Sequence, residues 1–114
     1  MSNNVKELMQ TEGVKLDQDK AMLQLMDADF IFDVSEVMTY GATKYSPNNW
    51  RKGMQYSRLF GALMRHLWAW WRGEDSDPET GKSHLAHAGC CLMMLNGMRH
   101  SKPELDDRPY KGKF

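Results

Sequence analysis

Three histidines, His66, His84 and His87, are the side chains of this sequence best suited to chemistry. His84 and His87 stand at i and i+3, a spacing that places both on one face of a helix. His66 falls inside the apolar stripe of the preceding helical segment, so all three imidazoles can turn inward together. Between them runs an acidic connection that carries Glu74 and Asp77. Imidazoles and carboxylates gathered in this way are the donors of a divalent-cation site, where the cation neutralises phosphate oxygens or activates a water. The candidate metal ligands are therefore His66, Glu74, Asp77, His84 and His87. Mixed donors of this kind suit Mn²⁺ or Zn²⁺ better than Mg²⁺. The competing reading is that each is a hydrogen-bonded core or interface histidine. His100 lies outside the cluster and reads as a surface residue.

Basic and polar residues border this group. Arg58, Arg65 and Arg72 recur every seven residues and form a rail along the second helix, beside the histidine stripe. Such a rail is either a solvated face or a set of guanidinium groups able to hold a polyphosphate bidentately. Asp33, Glu36, Tyr40 and Lys44 share a polar edge of the first helix. Facing the second helix, Glu36 becomes a candidate ligand or general base and Lys44 a phosphate contact; facing water, neither does. Catalytic candidates are thus Glu36, Glu74 and His87. Trp50, preceded by Asn48 and Asn49, either offers an aromatic face and amides to a purine base or plugs the core from a loop.

Three helices must position these side chains. The first is expected over about 29–45, where Phe30, Val34, Val37, Met38 and Gly41 recur at helical spacing; Asp27 or Asp29 caps it and Pro47 ends it. A turn-rich loop, Ser46 to Gly53, carries Trp50. The second runs from about Ser57, its expected cap, to Arg72, with Gly73 as its stop. The third begins after Ser83 and continues to about Arg99, with Leu85, Ala88, Cys91, Leu92 and Leu95 as its apolar stripe. No alternating pattern long enough for a strand is present.

Bulk properties narrow the class. A chain of 114 residues is read as a single domain over 1–114, with its helical core at about 20–100 and polar ends at about 1–11 and 101–114 that are loosely held or partner-dependent. So thin a core favours a homodimer or homotetramer. The 15 basic and 15 acidic side chains cancel, so no global field draws the protein onto nucleic acid or an anionic membrane. No apolar run approaches the roughly 18 residues of a membrane helix, and the first residues lack a signal-peptide layout. A cytoplasmic protein is expected. Cys90 and Cys91 diverge by about 100° on a helix and read as core thiols. Ten methionines and four tryptophans indicate an adaptable interior with large anchors.

The blocks Tyr40-Gly41-Ala42-Thr43-Lys44-Tyr45, Asn49-Trp50, Arg65-His66-Leu67, Gly73-Glu74-Asp75, Asp77-Pro78-Glu79-Thr80-Gly81 and His84-Leu85-Ala86-His87-Ala88, in this order, resemble the phage and bacterial dATP/dGTP diphosphohydrolases of the MazZ type. Those enzymes look like diverged relatives of the all-α MazG pyrophosphohydrolases. The resemblance, over about 13–98, implies an all-α, MazG-like helical bundle that converts a purine deoxynucleoside triphosphate to monophosphate and pyrophosphate with a bound divalent cation, Mg²⁺, Mn²⁺ or Zn²⁺. It implies that His66, Glu74, His84 and His87 belong to the metal and catalytic region, and that Lys44, Asn49, Trp50 and Arg65 belong to the substrate region. Tyr45, Arg58 and Lys20 join this substrate set. Where the family pattern has Gly-Lys-x-Arg, this chain has Asp19-Lys20-Ala21-Met22, so Lys20 alone remains of the basic pair. His84-x-x-His87 stands where MazG enzymes carry their second acidic motif, and the paired acidic motifs are absent as written. That departure motivates a rival reading, a nucleotide or cyclic-nucleotide binding protein that sequesters its ligand uncut. A third reading is a helical oligomer whose histidines are structural.

Overall fold

The structure, a computed structural model, describes residues 13–114. The polar segment expected over about 1–11 lies outside the described residues. Three helices carry the fold: α1 (Ala28–Lys44), α2 (Tyr56–Trp71) and α3 (His84–Ser101). Short 3-10 turns occupy Leu23–Leu25, Asn49–Lys52 and Pro103–Leu105. Among the described residues there is no strand, only an isolated antiparallel bridge between Ser76 and Ser83 that closes the acidic connection into a loop. No described helix is long and apolar enough to cross a membrane.

Local chemistry sets most of the boundaries. The Asp27 carboxylate caps α1 by accepting from the Asp29 backbone N–H, and Ser83 caps α3 by accepting from Leu85. At α2 the expected Ser57 cap is replaced: Gln55 stands at the cap position without a side-chain bond, and the Ser57 backbone N–H is instead satisfied by Asp107 at 2.8 Å. The Ser57 hydroxyl donates to the same carboxylate, and these bonds hold Asp107 below the usual carboxylate range.

The segment Lys102 to Asp107 is therefore tied to the core. Leu105 packs on the core cluster of Trp50, Tyr56, Leu59 and Met98, and the Tyr56 hydroxyl donates to the carbonyls of Met98 and Lys102. Asp106 is held by Arg108 and Lys111. The sequence reading missed this strap because its partners, Ser57 and Asp107, lie far apart along the chain.

Helix α3 is the centre, and α1 and α2 pack on it while making little contact with each other. Ala86 and Cys90 meet Val37 of α1; Ala88 and Cys91 meet Leu63 of α2. A helix gripped on two sides has no single apolar stripe, and so Leu85 and Leu92, expected inside, are exposed. Small residues allow the close approach: a Cβ on Gly97 would stand 2.8 Å from the Trp50 ring. Much apolar surface stays outside, including Phe32, Phe60, Trp68 and Trp71.

Cys90 and Cys91 are both buried and unpaired, and burial pushes the Cys90 thiol up to about 11. Since the thiolate is the reactive form, alkylation of the folded protein at pH 8 is expected to be much slower than of the denatured chain. Equal rates would show that this helix contact opens readily.

Candidate active site

Because α1 and α2 both lean on α3 but not on each other, a cleft of about 590 Å³ opens between them, floored by His87, Cys90 and Met94 of α3. That volume lies within the roughly 300–1,000 Å³ of small-molecule sites. Tyr40, Lys44 and Tyr45 line it from α1 and its end, Asn48, Asn49 and Trp50 from the turn between α1 and α2, Arg58 and His66 from α2, and Asp77, Glu79 and Thr80 from the acidic loop.

Imidazoles close one end: His66 and His87 line the cleft, and His84 is buried beside them outside the lining. His66 Nδ1 and His84 Nδ1 face each other at 2.9 Å, and the His66 and His87 rings stack at 4.4 Å with an interplanar angle of 11°. His84 is buried, and its Nε2 lies 2.6 Å from Glu74 Oε1. That contact sets the tautomer: the Nε2–H donates to the carboxylate, which leaves the Nδ1 lone pair directed at His66. His66, Asp77 and His84 each offer a ligand atom, all within 4.8 Å of one another. Two imidazole nitrogens each about 2.1 Å from one cation stand about 3 Å apart when the angle between them is near 90°. The observed 2.9 Å is a hydrogen bond, donated by His66 Nδ1–H to the His84 lone pair, at a spacing that a cation in place of that proton would also allow.

Electrostatics favour uncharged imidazoles beside a charged carboxylate. Burial, followed by the neighbouring His87 and His84, holds His66 below its ordinary pKa; burial does the same for His87 against the pull of Asp77. Both are neutral at pH 7, the form that ligates. Burial opposes ionisation of Asp77, but the backbone N–H groups of Thr80 and Glu79, bonded to Oδ1 at 3.1 and 2.9 Å, outweigh it and lower its pKa. Among the described residues Oδ2 makes no hydrogen bond.

The expected residues sort into those the fold gathers and those it does not. His66, Asp77 and His84 come together, with His87 beside them, tied by Nε2 to Thr80 Oγ1 at 2.7 Å. Glu74 sits on the outer nitrogen of His84 and is not among the three residues whose possible ligand atoms converge. Glu36 does not line the cleft; it is exposed and paired with Lys82 at 2.6 Å. Lys20 and Arg65 are exposed and outside the lining, so of the arginine rail only Arg58 reaches the cleft. Seven residues are slightly less than two full turns of helix, and the rail drifts off the cleft as it climbs. Trp50 is a core residue, packed against Gly97 and covered by the Arg51 guanidinium at 4.5 Å from its ring. The Asn48 amide serves the turn by accepting from Arg51. Tyr45, by contrast, is an exposed aromatic at the rim.

Glu79 and Thr80 were not singled out from the sequence. Their signal was the turn Asp77-Pro78-Glu79-Thr80-Gly81, whose Asp77 folds the loop back through the two N–H bonds and aims both side chains into the cleft.

Comparison with known proteins gives one family. Residues 10–108 match the family model described as dATP/dGTP diphosphohydrolase, N-terminal. A curated relative from Salmonella phage PMBT28, a dATP/dGTP diphosphohydrolase, is 40% identical over 96 residues, which are 84% of this chain. The match covers 33% of that relative, so this chain spans about a third of its length. No solved structure matches.

Proposed function

This chain belongs to the dATP/dGTP diphosphohydrolase family, and from that premise we propose that its cleft hydrolyses a purine deoxynucleoside triphosphate to the monophosphate and pyrophosphate. The observation that carries the proposal is the gathering, in one cleft, of an imidazole and carboxylate cluster with the cationic side chains of Lys44 and Arg58. The first suits a cation-assisted attack on phosphorus and the second suits a polyphosphate.

His66, Asp77 and His84 would hold a divalent cation, and Mn²⁺ matches two imidazoles and a carboxylate better than Mg²⁺ does. Bound there, such an ion supplies charge neutralisation at the phosphate oxygens. Glu74 keeps the His84 ring in its ligating tautomer. Lys44 and Arg58 hold the triphosphate and offset charge as the reaction proceeds. His87 donates its Nε2–H to Thr80 Oγ1, which leaves Nδ1 with a lone pair to take a proton from the attacking water. The new bond joins that water oxygen to the α-phosphorus; the bond from the α-phosphorus to the bridging oxygen breaks, and pyrophosphate leaves. Tyr45 and Asn49 at the rim take the base, since the Trp50 ring is buried in the core and has the Arg51 guanidinium over it.

Pyrophosphate release from a panel of deoxynucleoside triphosphates tests this directly. Release from dGTP or dATP with Mn²⁺ or Mg²⁺, abolished by chelator, is expected. Tight binding with the nucleotide recovered intact would instead mark a sequestering protein.

A further inference from the structure

The lysine best placed for a phosphate is already occupied. Lys44 Nζ and the Tyr40 hydroxyl both donate to a single oxygen, Glu79 Oε1, each at 2.8 Å. Two donors from successive turns of α1 converging on one anionic oxygen make a small oxyanion site. Its occupant comes from the acidic loop across the cleft. The Lys44 and Glu79 side chains are 44% and 55% exposed, so water and ions reach the pair freely and it contributes little to holding the fold. A second exposed pair, Lys82 with Glu36, ties the same loop to α1, so the loop need not leave when Glu79 does.

We infer that Lys44 and Tyr40 form a phosphate-oxygen subsite, and that Glu79 is its internal stand-in, a carboxylate that an incoming phosphate oxygen displaces. The inference rests on the cleft being a nucleotide site, but not on whether the nucleotide is cut. Its consequence is a filter on ligand charge. A neutral nucleoside cannot replace the carboxylate on two donors, whereas a phosphate oxygen can, and a chain of phosphates gains further contacts with Arg58. Glu79 also raises the negative potential of the empty cleft, so every anionic ligand binds more weakly than it would without it.

Calorimetric titration of the full chain with inorganic triphosphate, in chelator at low ionic strength, tests this without any turnover. Glu79→Gln keeps a similar shape and an acceptor oxygen while removing the charge. It is expected to bind triphosphate about fivefold tighter or more, given that exposed ion pairs are worth up to about this factor and that repulsion adds to it. The gain should shrink as salt rises. It should vanish when Lys44→Met is combined with Glu79→Gln, because the stand-in then has nothing to mask. Unchanged or weaker binding by Glu79→Gln, with helical content intact, would overturn the inference, as would no triphosphate binding by either chain. Hydrolysis of dGTP is measured separately. Failure there with tighter Glu79→Gln binding would sink the catalytic reading and leave the subsite standing.

Discussion

Asp77→Asn is expected to lower both cation affinity and pyrophosphate release at least about 100-fold, the upper end of what loss of a supporting group costs and a fair minimum for loss of a ligand. The substitution is a clean one. Asparagine keeps the acceptor oxygen that binds the Glu79 and Thr80 backbone N–H groups at 2.9 and 3.1 Å, so the loop survives. Only the charge and the anionic ligand atom are lost. Helical content, and the melting temperature measured in chelator, should therefore stay close to those of the parent chain. Glu74→Gln makes a useful companion, since it can still accept from His84 Nε2 but no longer polarises the ring; its expected loss is about 10- to 100-fold. Turnover by Asp77→Asn within threefold of the parent would place the cation elsewhere, or remove it from the reaction.

Met98→Ala should have the largest effect on stability, a loss of about 2–5 kcal/mol, which is the usual cost of emptying a buried methionine site. Met98 has no exposed surface and joins Trp50, Tyr56 and Leu59 in one cluster. Its carbonyl also accepts from the Tyr56 hydroxyl at 3.0 Å, so the backbone there is pinned and the cavity cannot close by a simple shift. Small domains hold only about 5–15 kcal/mol in all, and a loss of this size is a large share of it. Urea unfolding should show a lower midpoint at an unchanged slope. Met98→Leu, which conserves volume, should cost less than about 1.5 kcal/mol. Trp50 and Leu59 line the cleft as well as the core, and so activity should fall with the packing. A change in stability below about 0.5 kcal/mol on Met98→Ala would mean that this cluster is not the centre of the fold.

What the sequence made legible was whatever local chemistry dictates. Helix existence, a cap at Asp27 or Asp29, the start of α3 after Ser83, and the inward turn of His66, His84 and His87 all follow from spacing within about one turn. Relations across the fold were not legible. Spacing does not say which nitrogen of His84 meets Glu74, and that choice leaves Nδ1 to face His66. The polar edge of α1 looked uniform, but it divides: Tyr40 and Lys44 enter the cleft, while Glu36 is drawn to Lys82. Leu85 and Leu92 were misplaced because a helix clamped by two neighbours hides two faces, and a stripe analysis assumes one. The Asp107 cap of α2 and the occupied state of Lys44 depend on residues 50 and 35 positions away, a range at which single-sequence patterns are silent.

The central claim is that this cleft cuts between the α- and β-phosphates, and product analysis reads that most directly. Incubation of dGTP with the protein and Mn²⁺, followed by phosphorus NMR, is predicted to give dGMP and pyrophosphate in equal amounts, with no dGDP at any time. Appearance of dGDP and free phosphate, or recovery of intact dGTP after prolonged incubation with protein shown to bind it, would contradict the account.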